Sequence, residues 1–170
     1  GKMPARKMGL TLVHEHVFLD WTGAERMQAS AWNNDSAVAV ILPYLRKMQS
    51  HGVKTILECT PNYIGRNPRL LARLADSTGL HILTNTGYYG ARWDNHIPAH
   101  AYRESVDQIA ARWLEEFNHG IDGTTIRPGF IKIGVDGDSL LSEIDEKIVR
   151  AAARTHLRSG LTIVAHTGPD

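Results

Sequence analysis

Apolar residues recur along this chain in two alternating rhythms. Short apolar or alternating runs predict strands at Gly9–His16 (GLTLVHEH), Val53–Cys59 (VKTILEC), Leu80–Thr86 (LHILTNT), Gly129–Val135 (GFIKIGV) and Leu161–His166 (LTIVAH). Longer amphipathic stretches between them predict helices over Ser36–His51, Asn67–Thr78, Ala101–Asn118 and Glu143–Ser159. The first helix is expected to start at a capping Asp or Ser and to kink at Pro43. The second opens with Pro68, where a missing N–H costs nothing, and closes at Gly79.

Strands alternating with helices predict parallel βαβ units, in a barrel or a doubly wound sheet. The first and last predicted strands lie about 150 residues apart over four units, roughly 38 per unit. Eight such units would need about 300 residues, so this chain holds about four and a half. It is either a smaller open sheet or part of a larger barrel. The closing His166-Thr167-Gly168-Pro169-Asp170 follows a strand with no helix to cover it. An uncovered parallel edge is a poor place for a domain to finish, which favours the barrel part.

Composition narrows the function. Nineteen Lys and Arg against 18 Asp and Glu give a net charge of +1 over 170 residues, which argues against coating nucleic acid or an anionic membrane. A hydrophobic share of 42% with 22% charged residues is that of a globular protein. Cys59 is the sole cysteine, excluding an intramolecular disulfide and a Cys-rich zinc module. No apolar run approaches the roughly 18 residues of a membrane span, and the start has no signal-peptide core. A cytoplasmic location is the expectation.

Several residues then stand out for their chemistry. His14 and His16, two apart on a strand, share a face and suit either convergence on one metal ion or ordinary hydrogen bonding near a strand end. Lys132 sits mid-strand on the face of Phe130 and Gly134, opposite Ile131, Ile133 and Val135. A lysine so placed is costly to bury charged. It reads as a Schiff-base amine, as a carbamate able to bridge two metals, as an ion-pair partner, or as a snorkelling side chain. His166 ends the last predicted strand on the face of Val164 and Thr162. His14, His16, Lys132 and His166 all fall late in their strands, where parallel α/β folds carry ligands.

Other candidates are weaker. Glu58 reads as an acceptor behind a metal-bound histidine or as a charge orienting its loop. Tyr88 and Tyr89 are expected to line a substrate pocket, and Arg66, Arg92, Trp93, Asp94 and His96 to share its rim. His119–Thr124 (HGIDGT) reads as a turn and not a phosphate loop, since no helix follows its glycines.

In this order and at these intervals, GLTLVHEHVF, the Ile64-Gly65-Arg66 loop, Thr86-Gly87, RPGFIKIGVD and IVAHTG resemble the phosphotriesterase family of the amidohydrolase superfamily. The resemblance covers essentially the whole chain. It implies that residues 1–170 are the N-terminal part, about four and a half βα units, of a single TIM (β/α)8 barrel, with strands six to eight outside this sequence. It implies a metal-dependent hydrolase with two divalent ions, zinc being the expectation, and a bridging hydroxide. His14 and His16 would hold the more buried ion, carboxylated Lys132 would bridge, and His166 would bind the more exposed ion. A further His and an Asp of the family would lie beyond Asp170. Tyr89 matches a position where the lactonase branch carries Tyr and efficient organophosphate hydrolases carry Trp. The implied partner is therefore a small lactone, carboxyl ester or phosphoester, with a second copy of the chain as a homodimer partner and with no nucleic acid or membrane. The competing readings are a class I aldolase-like enzyme built on Lys132, and a catalytically incompetent half-barrel.

Overall fold

The computed structural model describes residues 3–27, 32–137 and 140–168; Pro169 and Asp170, which close the predicted uncovered edge, lie outside the described residues. After a short turn of 3-10 helix at Ala5–Lys7 the chain runs β1 (Leu10–Glu15), α1 (Asn34–Ser50), β2 (Val53–Glu58), α2 (Pro68–Thr78), β3 (His81–Leu83) and β4 (Asn85–Thr86). It continues through α3 (Ala99–Arg103), α4 (Val106–His119), β5 (Phe130–Val135), α5 (Glu143–Ser159) and β6 (Ile163–Thr167).

All strand pairings are parallel, in the orders β1-β2-β3 and β4-β5-β6. The order follows the chain without reversing. That is the winding of a barrel, whereas a doubly wound sheet changes direction at a switch point. The predicted strand Leu80–Thr86 is two short strands. His81–Leu83 pairs with β2, Thr84 intervenes, and Asn85–Thr86 pairs with β5.

Helix boundaries follow local chemistry. The cap of α1 is Asn33, whose side chain accepts from the Asp35 and Ser36 amides, instead of an Asp or Ser. The helix continues through Pro43. Asn67 caps α2 and Gly79 closes it in the left-handed conformation. The single helix expected over Ala101–Asn118 is interrupted at Ser105. There, a reciprocal capping box with Gln108 starts α4 afresh. The predicted Glu143–Ser159 helix is α5. Of the predicted His119–Thr124 turn, His119 closes α4 and the turn follows from Gly120.

Two apolar clusters hold the layers together. Leu45, Ile56, Leu70 and Leu74 join α1 and α2 to β2, while Ile109, Trp113, Ile131, Ile133, Ile148 and Ala152 join α4 and α5 to β5. Ile131 and Ile133 thus face the helices, which turns Lys132 and Gly134 to the opposite, inner face. Every residue of β5 is buried, as expected for a strand covered on both sides. Among the described residues no helix is long and apolar enough to cross a membrane.

Candidate metal centre

The C-terminal ends of β1, β2, β5 and β6 converge on one face. His14 lies in β1 and His16 one residue past its end, with ring centroids 5.2 Å apart. Register pairs Lys132 with Val164 and Gly134 with His166, so His166 shares the inner face with Lys132. The three imidazoles lie close enough to Lys132 for its charge to bear on their titration. Burial lowers the pKa of His14, His16 and His166, with Lys132 adding to it, and His16 is pushed down to about 4. All three are therefore neutral near pH 7, the form in which imidazole offers a lone pair to a metal.

Lys132 is fully buried, and its Nζ has no hydrogen-bond partner. Desolvation holds its amine below the ordinary lysine range, opposed in part by Cys59. An ammonium here would lack every acceptor it needs, so the site favours a neutral amine or one carrying an added group. Gly87, at φ +126°, makes this approach possible, since a Cβ there would stand 1.9 Å from the Lys132 carbonyl oxygen.

The setting of His16 is built by β2. His16 Nδ1 lies 3.0 Å from Thr60 Oγ1, and the Thr60 hydroxyl donates to Glu58. That hydroxyl has one proton, already committed, so it accepts from His16 and leaves the His16 Nε2 lone pair open. Glu58 also accepts from the Val17 and Thr60 amides, 3.2 and 3.3 Å away. Burial nevertheless pushes its carboxyl up to about 7. Of the two sequence readings of Glu58, the geometry matches the acceptor behind a histidine, reached through Thr60. Sequence reasoning missed Thr60 itself, and the signal available was its hydroxyl two residues after Glu58.

The adjacent tyrosines part ways, as neighbours in extended chain must. The Tyr89 ring lies on the bare face of Gly134 and 5.4 Å from the His166 ring, held by the Gly90 amide donating to the Gly134 carbonyl at 2.8 Å. Tyr88 turns to the helices instead. Its ring is 5.2 Å from Trp113 and its hydroxyl 3.0 Å from His100 Nε2. Both rings are buried, but on different sides: Tyr89 lies beside His166 and Tyr88 among the helices.

The expected rim also divides. Arg66 is buried, gripping Glu116 with both terminal nitrogens and donating to the Asn85 carbonyl at 3.0 Å. It ties α4 to β4 and faces no pocket. Arg92 and Trp93 are exposed, whereas His96 is buried against Trp21 and Tyr89, and no local pattern pointed to Trp21 as a member of this group. Among the described residues, Asp94, Asp136 and Asp145 form the one group of His, Cys, Asp or Glu whose ligand atoms all lie within 4.8 Å of one another. The three histidines are more widely spread. Asp136 accepts from the Arg92 and Trp93 amides, and Asp145 from the Asp136 amide, so these acids brace the loop after β4.

The family model described as Phosphotriesterase family matches residues 1–170. The chain belongs to the phosphotriesterase family. Among its relatives in that family, the phosphotriesterase homology protein of Escherichia coli is 31% identical over 162 residues, covering 94% of this chain and 52% of the relative. The human N-acetyltaurine hydrolase is 31% identical over 196 residues, covering 99% and 55%. A mutant of the organophosphorus hydrolase from Deinococcus radiodurans superposes with a TM-score of 0.87 at 31% identity, covering 98% of this chain and 51% of that one. The chain thus spans about half the length of the phosphotriesterase-family relatives it matches, and its fold is that of part of their barrel.

Proposed function

We propose that this chain supplies the metal-binding part of a phosphotriesterase-family hydrolase that takes a lactone or carboxyl ester, with phosphoesters as related substrates. The observation that carries this is Lys132, a fully buried amine with no hydrogen-bond partner, set among three neutral imidazoles. The donors fit divalent ions: imidazole nitrogens suit zinc, and the His16 Nε2 is already free. His14 and His16 would hold one ion, His166 the other, and Lys132 both. When bound, such ions polarise a C=O or P=O bond and make a water acidic enough to attack near neutral pH.

The chain's own part is preparation. Desolvation lowers the pKa of the Lys132 amine, which favours its neutral form, and a deprotonated amine adds carbon dioxide to give a carbamate, releasing one proton. That places two anionic oxygens where the donor set otherwise lacks negative charge. Glu58, through Thr60, fixes the tautomer of His16. Tyr89 stands beside His166 to contact the substrate. The relatives include an organophosphorus hydrolase and an N-acetyltaurine hydrolase, which supports hydrolysis more firmly than any one bond type.

Metal analysis of the intact protein after loading with zinc or manganese and bicarbonate should find close to two ions per subunit, with a carbamate carbon visible by carbon-13 NMR. Lys132→Ala should lose the bridge, and short carboxylates should restore part of it. No bound metal under these conditions would end this reading. The same amine also suits a Schiff base, but that leaves the histidines without a shared role. Borohydride trapping of a carbonyl compound on Lys132 would favour that alternative.

A further inference from the structure

The loops after β1 and β4 enclose a cavity of about 640 Å³ lined by Trp21, Glu25 and Arg26 on one side and Arg92, Asp94 and His96 on the other. Its wall leads into the histidine cluster. The Trp21 ring is 5.1 Å from His96 and 5.8 Å from Tyr89, and Tyr89 is 5.4 Å from His166.

The Arg92 guanidinium lies over Trp21, 4.8 Å from the ring centroid. Among the described residues no carboxylate pairs with it. Asp136 is the nearby acid, but it accepts from the Arg92 and Trp93 backbone amides at 2.7 and 2.9 Å. Asp94 is drawn towards Asp136 and Asp145, and burial with Asp136 beside it raises its carboxyl pKa. Glu25 and Arg26 cancel in formal charge on the facing loop. Arg92, Trp93 and Asp94 have φ of 70°, 59° and 58°, three successive non-glycine residues in the left-handed region. Chain geometry this unusual, fastened to the end of β5 by Asp136, sets the guanidinium on its aromatic platform in advance.

His96 adds a second feature. It is 2% exposed, and its Nδ1 has no partner. Its hydrogen bond to the Tyr63 backbone is made by the other nitrogen, which leaves Nδ1 as an acceptor in the cavity wall.

We propose that this cavity binds the non-reacting end of the substrate, a small acyl compound bearing a carboxylate, sulfonate or phosphoryl group that pairs with Arg92. This deepens the hydrolase reading by naming a substrate class, and anion preference is measurable without turnover.

The test is a titration of the chelator-treated full chain with N-acetylglycine and with N-acetylglycinamide, which differ in the terminal anion alone. Binding is followed by tryptophan fluorescence and calorimetry. N-acetylglycine should bind about tenfold tighter, the scale of one charge-assisted bidentate pair. Arg92→Gln should abolish that preference, and Arg92→Lys should keep part of it. Equal binding of the two compounds, or a preference that survives in R92Q, overturns the site. Metal counted separately keeps the two readings apart. Anion preference without metal uptake defeats the hydrolase reading and leaves the site standing, whereas metal uptake without preference defeats the site alone.

Discussion

The Arg66 guanidinium and the Lys132 amine are both wholly buried basic side chains, yet the terminal nitrogens of one are paired and the amine of the other has no hydrogen-bond partner. Arg66 holds Glu116 bidentately, reaches the Asn85 carbonyl, and through Glu116 meets the Thr86 hydroxyl. Its charge stays, because Glu116 raises a pKa that burial alone would lower. Lys132 sits among imidazoles that are themselves neutral, and burial goes largely unopposed. A buried cation with its partners in place is structure, joining α4 to β4. A buried amine without them is a position that stability alone does not explain, and one that a carbamate and metal ions would complete.

The largest expected effect falls on Arg66. Arg66→Ala leaves Glu116 facing an emptied site and should destabilise the fold by about 3–5 kcal/mol in chemical denaturation. A loss below about 1 kcal/mol would break the contrast from its structural side. Glu58 lies between the extremes, buried with three donors but still pushed up to about 7. The native state therefore keeps its proton to higher pH than the unfolded chain. Its contribution is complete below about 4.5 and is lost as pH rises towards about 7. Glu58→Gln removes that loss, so relative to wild type the variant should gain up to about 1.4 kcal/mol per pH unit across this window in urea titrations. A pH-independent difference would mean that the carboxyl titrates normally.

Smallest is Lys132→Met in the metal-free chain. It exchanges an unpartnered amine for an apolar side chain of similar reach and should be neutral or stabilising by about 1 kcal/mol. Destabilisation on the Arg66 scale would show that the amine is satisfied after all and erase the comparison.

Much of this was legible along the chain. Runs such as VKTILEC and GFIKIGV gave strands within one residue, because parallel strands buried on both faces are marked by apolar density alone. The Glu143–Ser159 helix was read to the residue. The break at Ser105 was also readable, since Ser105 and Gln108 stand at capping-box spacing, but the apolar run across it outweighed the signal. At the site, strand parity alone put Lys132 on the face opposite Ile131 and Ile133, whereas the register shift between Leu12 and Glu15 in β1 could not be read from alternation. Parity would equally have separated Tyr88 from Tyr89 once that segment was taken as extended. Arg66 could not be read, because its partner Glu116 is 50 positions away.

By itself, the order of residues determined which segments are strands and helices, which way Lys132 points, and which family the chain belongs to, because these depend on local periodicity and short motifs. Tertiary structure alone decided that the Lys132 amine has no acceptor, that Thr60 joins His16 to Glu58, and that Arg92 rests on Trp21. Each is a statement about distances between segments far apart in sequence. Burial, desolvation and hydrogen-bond satisfaction acquire values only when those segments meet.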